Sequence, residues 1–376
     1  MFVPMNEAKK YQFKPYEECP CESGQKYKFC CYAKSRNSKV DFRDYSATRI
    51  TAEGRRLLKD TEFKMCFAFD TSECSKDLIG AHSIQNNGVL DKISVENHVY
   101  ALSSEIDQNT MYPQLEFTPI GKNQASIFSG FCKKHDEDYF KCIEDKDYEG
   151  TLEQNYWFGF RALCFELHRK LRLKKSFANF FKKYPGATRT PSIYTEYYNT
   201  KLSIRDSWTE YERFKSAYAK KSFNNLESIV KVVPFTVGFT ATTSVGVGMD
   251  MEGNLAADIY NYNDKHFIPN LYVSVIPKEN MTLIIISRFH EDNCYKNILS
   301  QLNGNENDEK LFRYISFCLA EYSENVYFSP AVIDSLSEAN KRKIKTAFMG
   351  VLSPTPELRL RNLYATTSLN LFDLKL

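Results

Sequence analysis

The sequence predicts an α+β fold, and three observations carry that expectation. Trp157, Phe160, Leu163, Cys164, Leu167 and Leu171 recur at three- and four-residue spacing, the period of a helix with one buried face. From Val232 the pattern changes to alternation, with Phe235, Val237 and Phe239 set between Thr236, Gly238 and Thr240. The first thirty-odd residues are rich in Cys and Lys and short of aliphatic side chains, so they cannot build a core unaided. Four consecutive segments are expected: a cysteine knuckle over 1–36, a Cys/His-braced ββα-like unit over 37–150, a helical hairpin over 151–231, and an α+β body over 232–376. The body reads as a mostly antiparallel sheet with C-terminal helices.

The 376 residues are 43% hydrophobic and 14% aromatic, the composition of a folded chain. A net charge of +3 on 97 charged residues gives no whole-chain argument for a nucleic-acid or membrane partner. The N-terminal stretch has no apolar run of signal-peptide length, and the 283–286 run is far short of a membrane span. A cytoplasmic protein is expected, where clustered cysteines bind metal more often than they pair.

Along the chain, 37–60 reads as a linker running into a helix. Residues 61–150 mix short apolar runs with Gly, Asn and Asp, which predicts short strands and loops. The helix over 152–183 is expected to end at Pro185 and Gly186. A second helical stretch is predicted over 193–230, with Tyr194, Tyr198, Leu202, Trp208, Tyr211, Phe214 and Tyr218 in period. Further strands are expected around Val245, Val247 and Met249, around Leu271, Val273 and Val275, and over 283–286. Leu311, Tyr314, Ile315, Cys318 and Leu319 mark one face of a C-terminal helix.

The segment CPCESGQKYKFCC supplies Cys19, Cys21, Cys30 and Cys31, two tight pairs with Ser23 and Gly24 turning the chain between them. Four soft ligands suit a tetrahedral zinc ion, and coordination folds a segment that lacks a core. Spacing and intervening residues, Pro20, Ser23, Gly24, Tyr27 and Lys28, resemble the SEC-C motif, a short zinc-binding module of many bacterial proteins. The resemblance covers about residues 17–33 and departs from the motif at Glu22 and Tyr32, neither a ligand. It implies a docking module for protein partners or ribosomes.

A second constellation follows: Cys66 and Cys74 with seven residues between them, then His82, then Cys132 and His135 in a C-x-x-H pair. Cys66, Cys74, Cys132 and His135 make a second expected zinc set. The order resembles the His-Asn-His nucleases, which fold as a zinc-braced ββα unit. The resemblance implies His82 as general base, Asn97 as the residue that steadies it, and Asp136 where the last metal-binding His falls, with Mg2+ or Mn2+ on the scissile phosphate. Ala81 and the long separation of Asn97 from Cys132 depart from that pattern. Residues 66–93, 122–145 and 160–170 also resemble a widespread bacterial family sharing a Cys…Cys…AH(S/T)(I/V)Q stretch, which brings no chemistry with it.

Seven cations and no acid lie between Arg169 and Lys183, interleaved with Phe177, Phe180 and Phe181. Such a face can take phosphates of a nucleic acid, or simply be a solvated helix end. No P-loop, dinucleotide fingerprint, G-x-S-x-G or kinase set is present. The expected function is a bacterial two-zinc adaptor that binds a protein partner through its N-terminal knuckle. The alternative is a metal-dependent nuclease, in defence against phage.

Overall fold

A computed structural model describes residues 12–37, 46–75, 77–106, 113–304, 308–352, 356–365 and 369–376. The elements run α1 (Cys31–Asn37), α2 (Ala47–Asp60), β1 (Leu78–His82), α3 (Asp91–Ile93), β2 (His98–Ile106), β3 (Pro113–Gly121), β4 (Ile127–Cys132), α4 (Lys133–Glu144), α5 (Leu152–Lys183) and α6 (Pro191–Ala219). They continue β5 (Leu226–Val233), β6 (Phe239–Val245), β7 (Leu271–Lys278), β8 (Met281–Phe289), α7 (Lys296–Asn303), α8 (Asp308–Tyr322), β9 (Val326–Phe328), α9 (Pro330–Ser335), α10 (Glu338–Phe348) and α11 (Pro356–Ala365). The fold is α+β. Among the described residues no helix is long and apolar enough to cross a membrane.

The chain divides into two compact units. The first comprises Met1–Lys64, Ile106–Tyr112 and Leu167–Ser207; the second comprises Met65–Glu105, Pro113–Glu166 and Trp208–Leu376. Both long helices contribute to both units, because α5 and α6 each run through a boundary.

Unit 1 is built on aromatic side chains. Phe180, Phe181, Ala187 and Tyr197 form a buried cluster with Tyr27 and the four N-terminal cysteines. Phe13 meets Phe181 edge-on at 5.8 Å and Tyr194 at 4.8 Å, the offset geometry aromatic quadrupoles favour. The knuckle therefore rests on a ready aromatic surface rather than on its own core. Helix α2 starts at Ser46, whose side chain accepts the Arg49 N–H at 3.3 Å.

Unit 2 holds a seven-stranded sheet in the order β3-β2-β9-β6-β7-β8-β5. Where register is defined, every pairing is antiparallel. Its central strands are covered on both faces. Val273, Val275, Ile284 and Ile286 pack with Leu311, Ile315 and Leu319 of α8, while Ile276, Leu283 and Ile285 face Ile84, Leu90 and Ile93. Burial on both faces explains why the 283–286 run is continuously apolar.

Two local expectations are corrected. Residues 226–230, read as the end of a helix, open β5, which pairs with β8 along its whole length from Leu226↔Phe289 to Val233↔Thr282. Its Ile229, Val230, Val232 and Val233 suit a strand once a partner is supplied. The strand read from Phe235 begins instead at Phe239, and Val247 and Met249 lie in a loop. There the Asp250 carboxylate accepts the N–H groups of Glu252 and Asn254, each at 2.9 Å, which curls the backbone out of strand geometry. The strands β1 and β4 with the three-turn helix α4 agree with the ββα-like unit expected in this stretch.

Candidate metal centres

In the knuckle, Glu22 and Gly24 take positive φ values of 55° and 74°. This folds the chain so that Glu18 bridges to Lys26 and the Cys19 N–H reaches the Gln25 carbonyl at 2.8 Å. Cys30 closes a short 3-10 turn, and Cys31 opens α1. The four sulfurs converge: Cys21 Sγ lies 3.3 Å from Cys19 Sγ and 3.6 Å from Cys30 Sγ, and all four lie within 4.8 Å of one another. All four residues are buried. Ser23 Oγ donates to Cys30 Sγ at 3.2 Å, and Cys31 Sγ sits 3.6 Å from the Phe181 carbonyl. Tyr27 pins the turn to unit 1 through its hydroxyl, 3.1 Å from Thr188 Oγ1. Burial raises the Cys21 thiol, but hydrogen bonds from Ser23, Cys19 and Cys30 outweigh it and bring the group down to about 7. Cys31 is pushed up, chiefly by burial.

The second cluster is assembled by an antiparallel pair. Strand β1 pairs with β4 in the register Leu78↔Cys132 and His82↔Ile127, with a bulge between Ile79 and Ala81. The extended stretch around Cys66 runs along β4, Met65 and Phe67 donating to the carbonyls of Ser129 and Gly130. Gly130 is required there: a Cβ would meet the Phe128 ring at 2.2 Å. An Asp70 side chain accepts the Ser72 N–H at 2.8 Å and turns the chain back to Cys74. Cys132 ends β4 and precedes α4, whose first turn carries His135. His135 Nδ1 lies 3.6, 3.4 and 3.2 Å from the sulfurs of Cys66, Cys74 and Cys132. These two groups, seven Cys and one His, can hold metal ions. Burial raises Cys132, yet hydrogen bonds from Ser75 and His135 and the nearby imidazole lower it to about 6, while burial and neighbouring thiols drive Cys74 up to about 12. Thiols that burial holds up, Cys31 in the first cluster and Cys74 in the second, must release a proton on metal binding.

Of the three remaining expected site residues, His82 and Asp136 both feel the Arg161–Glu144 pair, and Asn97 belongs to a turn. His82 closes β1, half-buried, and its Nδ1 lies 3.0 Å from the Ala125 carbonyl and 3.4 Å from Ser126 Oγ. The Nδ1–H tautomer donates to that carbonyl and leaves Nε2 as the basic nitrogen. Burial lowers its pKa, and Arg161 adds to the effect. Asp136, on the first turn of α4, has an Oδ1 with no partner among the described residues. Burial pushes its carboxyl up to about 6, against the pull of Arg161 and with the push of Glu144. Asn97 lies elsewhere. With Glu96 it forms the left-handed pair of a tight turn (φ 60° and 48°), closed by reciprocal N–H···O bonds between Val95 and His98. It is the Ala125 carbonyl, not the Asn97 side chain, that steadies His82.

The basic stretch at the end of α5 is largely engaged within unit 1. Arg172 donates to the carbonyls of Thr61 and Leu58 at 2.9 and 2.8 Å, capping the end of α2. Lys175 reaches the Glu62 carbonyl at 2.9 Å, Lys174 pairs with Glu22 at 3.0 Å, and Lys183 pairs with Glu53. Two features escaped the sequence reading. Arg161 and Glu144, whose ion pair is set beside His82 and Asp136, lie in stretches read only as helix or loop. An Arg on the buried period of α5 was the available signal. No family model, curated protein or solved structure matches the chain.

Proposed function

We propose that the protein binds two zinc ions and acts as an adaptor, with the N-terminal knuckle as its docking module. The convergence of the four buried knuckle sulfurs carries this reading. A tetrahedron of thiolates at a Zn–S distance of about 2.3 Å has sulfurs about 3.8 Å apart, close to the separations of 3.3 and 3.6 Å found here. The second set, three Cys and one His, is equally a closed structural set, with no position kept for water. The docking face is the outer side of the knuckle, in keeping with its SEC-C resemblance. Phe29 and Tyr16 are 64% and 61% exposed, unusually high for large aromatics, and Lys28 lies over both rings at 5.7 and 5.3 Å. Beside them a groove of about 650 Å³ is lined by Phe13, Tyr16, Lys28, Tyr32 and Arg189. An acidic, apolar-tipped segment suits that surface. The test is the double substitution Lys28→Ala/Phe29→Ala. Zinc content is expected to stay at two, and proteins that co-purify with the wild-type chain from its own cells are expected to be lost. Unchanged co-purification refutes the docking role.

One observation favours a second reading, metal-dependent cleavage of nucleic acid. His82 is held by Nδ1 with Nε2 left basic, on a β1–β4–α4 unit braced by the second metal set, and Asp136 has an unpartnered carboxylate oxygen to offer Mg2+ or Mn2+. Incubation with DNA and with RNA in Mg2+ or Mn2+, with His82→Ala alongside, decides it. Cleavage abolished by the substitution supports the reading, and no cleavage removes it.

A further inference from the structure

The two metal sets lie at different depths. The four knuckle cysteines are at most 3% exposed and pack with Phe180, Phe181 and Tyr197. In the second set Cys132 and His135 are buried, whereas Cys66 and Cys74 are half-buried. Cys74 follows a surface turn in which Thr71, Ser72 and Glu73 are all exposed. Oxidation of a thiolate depends on access as well as on ionisation, so a dissolved oxidant meets the second set first.

The two half-buried sulfurs are also neighbours, within 4.8 Å of each other, with seven residues of chain between them. Their backbones are held differently. Cys66 lies between Met65 and Phe67, whose N–H groups donate to β4 at 3.1 and 2.9 Å. The Phe67 and Ala68 carbonyls accept from the Tyr211 hydroxyl, and the Phe69 N–H donates to the Tyr139 hydroxyl at 2.9 Å. Beyond Phe69 the anchoring weakens. Asp70 and Ser72 bond within the turn, and Glu73 pairs with Lys134 at the surface, where ion pairs hold little energy. Cys74 can therefore close on Cys66 while the β1–β4 pair stays in place.

We propose that the second metal set is a peroxide-responsive switch, in which Cys66 and Cys74 join as a disulfide and the metal is released, while the knuckle keeps its own. The inference rests on the proposed zinc occupancy of that set. One thiolate of the pair attacks an oxygen of hydrogen peroxide. The O–O bond breaks, a sulfenic acid forms and hydroxide leaves. The other thiolate attacks that sulfur, the S–O bond breaks, the S–S bond forms and a second hydroxide leaves. The two sulfurs give up two electrons and the peroxide takes both. Cys132 and His135 alone are too few to hold the ion. The β1–β4–α4 unit then lacks its brace until a dithiol reductant and zinc restore it.

The test begins with the purified full chain and its measured zinc content. Hydrogen peroxide is added in excess, with a chromogenic chelator reporting free zinc and a peroxide-free control. One zinc of two is expected to be released about tenfold faster than the other, with loss of two titratable thiols and a Cys66–Cys74 disulfide in the peptide map. Dithiothreitol with added zinc is expected to restore the content to two. Cys30→Ser, left with the second zinc alone, is expected to release it as fast as wild type does. Cys132→Ser, left with the knuckle zinc alone, is expected to lack the fast phase. If either variant fails to fold, the peptide map of the wild-type chain decides. Both ions released at one rate, neither released, or zinc lost without the Cys66–Cys74 disulfide overturns the switch. A second set that holds no zinc at the outset refutes the occupancy on which the switch rests, and the initial content tells the two failures apart.

Discussion

Cys132 shows how much one residue can fix. It ends β4, begins α4, and lies 3.2 Å from His135 in the metal set. Ser in its place keeps the backbone geometry and removes a thiolate. Cys132→Ser is therefore expected to lose one zinc of two, and Cys30→Ser the other, each read by elemental analysis of the purified chain. Glu210 illustrates a different kind of constraint. It is fully buried, accepts from the Asn270 N–H, the Tyr272 hydroxyl and Arg213 at 3.0, 2.9 and 3.2 Å, and burial pushes its pKa up to about 7. A carboxyl whose folded pKa is raised favours folding while protonated. That contribution is complete below its unfolded value and fades as pH rises through about 7. Glu210→Gln removes the titration. The stability of the variant relative to wild type is expected to improve by about 1 kcal/mol between pH 6 and 7.5, measured by urea denaturation at each pH. A difference independent of pH contradicts this. Single residues were the most legible level of the sequence for the metal sets, because thiolate chemistry leaves few alternatives. They were least legible where role depends on distant neighbours. Asn97 was assigned to His82 by order alone, whereas its turn demands a left-handed backbone that Asn tolerates.

At the scale of elements, periodicity carried far when one side of a segment is buried. Helix α5 runs over Leu152–Lys183, the span its apolar spacing indicates. It failed where pairing supplies the stability. β5 alternates poorly, with Val232 56% exposed, and is a strand because β8 is beside it. Short strands were expected over 61–150, but the bulged β1–β4 register was not legible, since Gly80 and Gly130 interrupt any alternation. Gly130→Ala drives a Cβ into the Phe128 ring and to 3.2 Å from Phe67. A loss of about 1–3 kcal/mol is expected from such overpacking, with reduced zinc retention at the second set because Cys132 is two residues away. Equal stability and unchanged retention contradict it. In unit 1, Arg172 caps the C-terminal carbonyls of α2. Arg172→Ala is expected to cost about 1.5–3 kcal/mol, the range for hydrogen bonds to a charged donor, in chemical denaturation followed by circular dichroism. If the residue instead serves nucleic acid, the substitution leaves stability unchanged.

For the whole molecule, composition indicated a folded chain and the change from helical period to alternation indicated α+β, and the seven-stranded sheet with helices on its faces is that fold. What composition cannot convey is grouping. Contiguous segments read from sequence assume that neighbours in the chain share a core, whereas α5 and α6 each divide between the two units. Each unit carries one metal set, Cys19, Cys21, Cys30 and Cys31 in the first and Cys66, Cys74, Cys132 and His135 in the second. A metal ion taken up by either set would stabilise its unit by mass action, because it binds the native arrangement alone.

The most direct measurement is zinc-edge X-ray absorption on the purified chain together with its elemental zinc content. Two zinc ions per chain, with sulfur and nitrogen ligands in a ratio of seven to one, is the expected result. One zinc with sulfur alone removes the second centre. No tightly held zinc contradicts the account at its base.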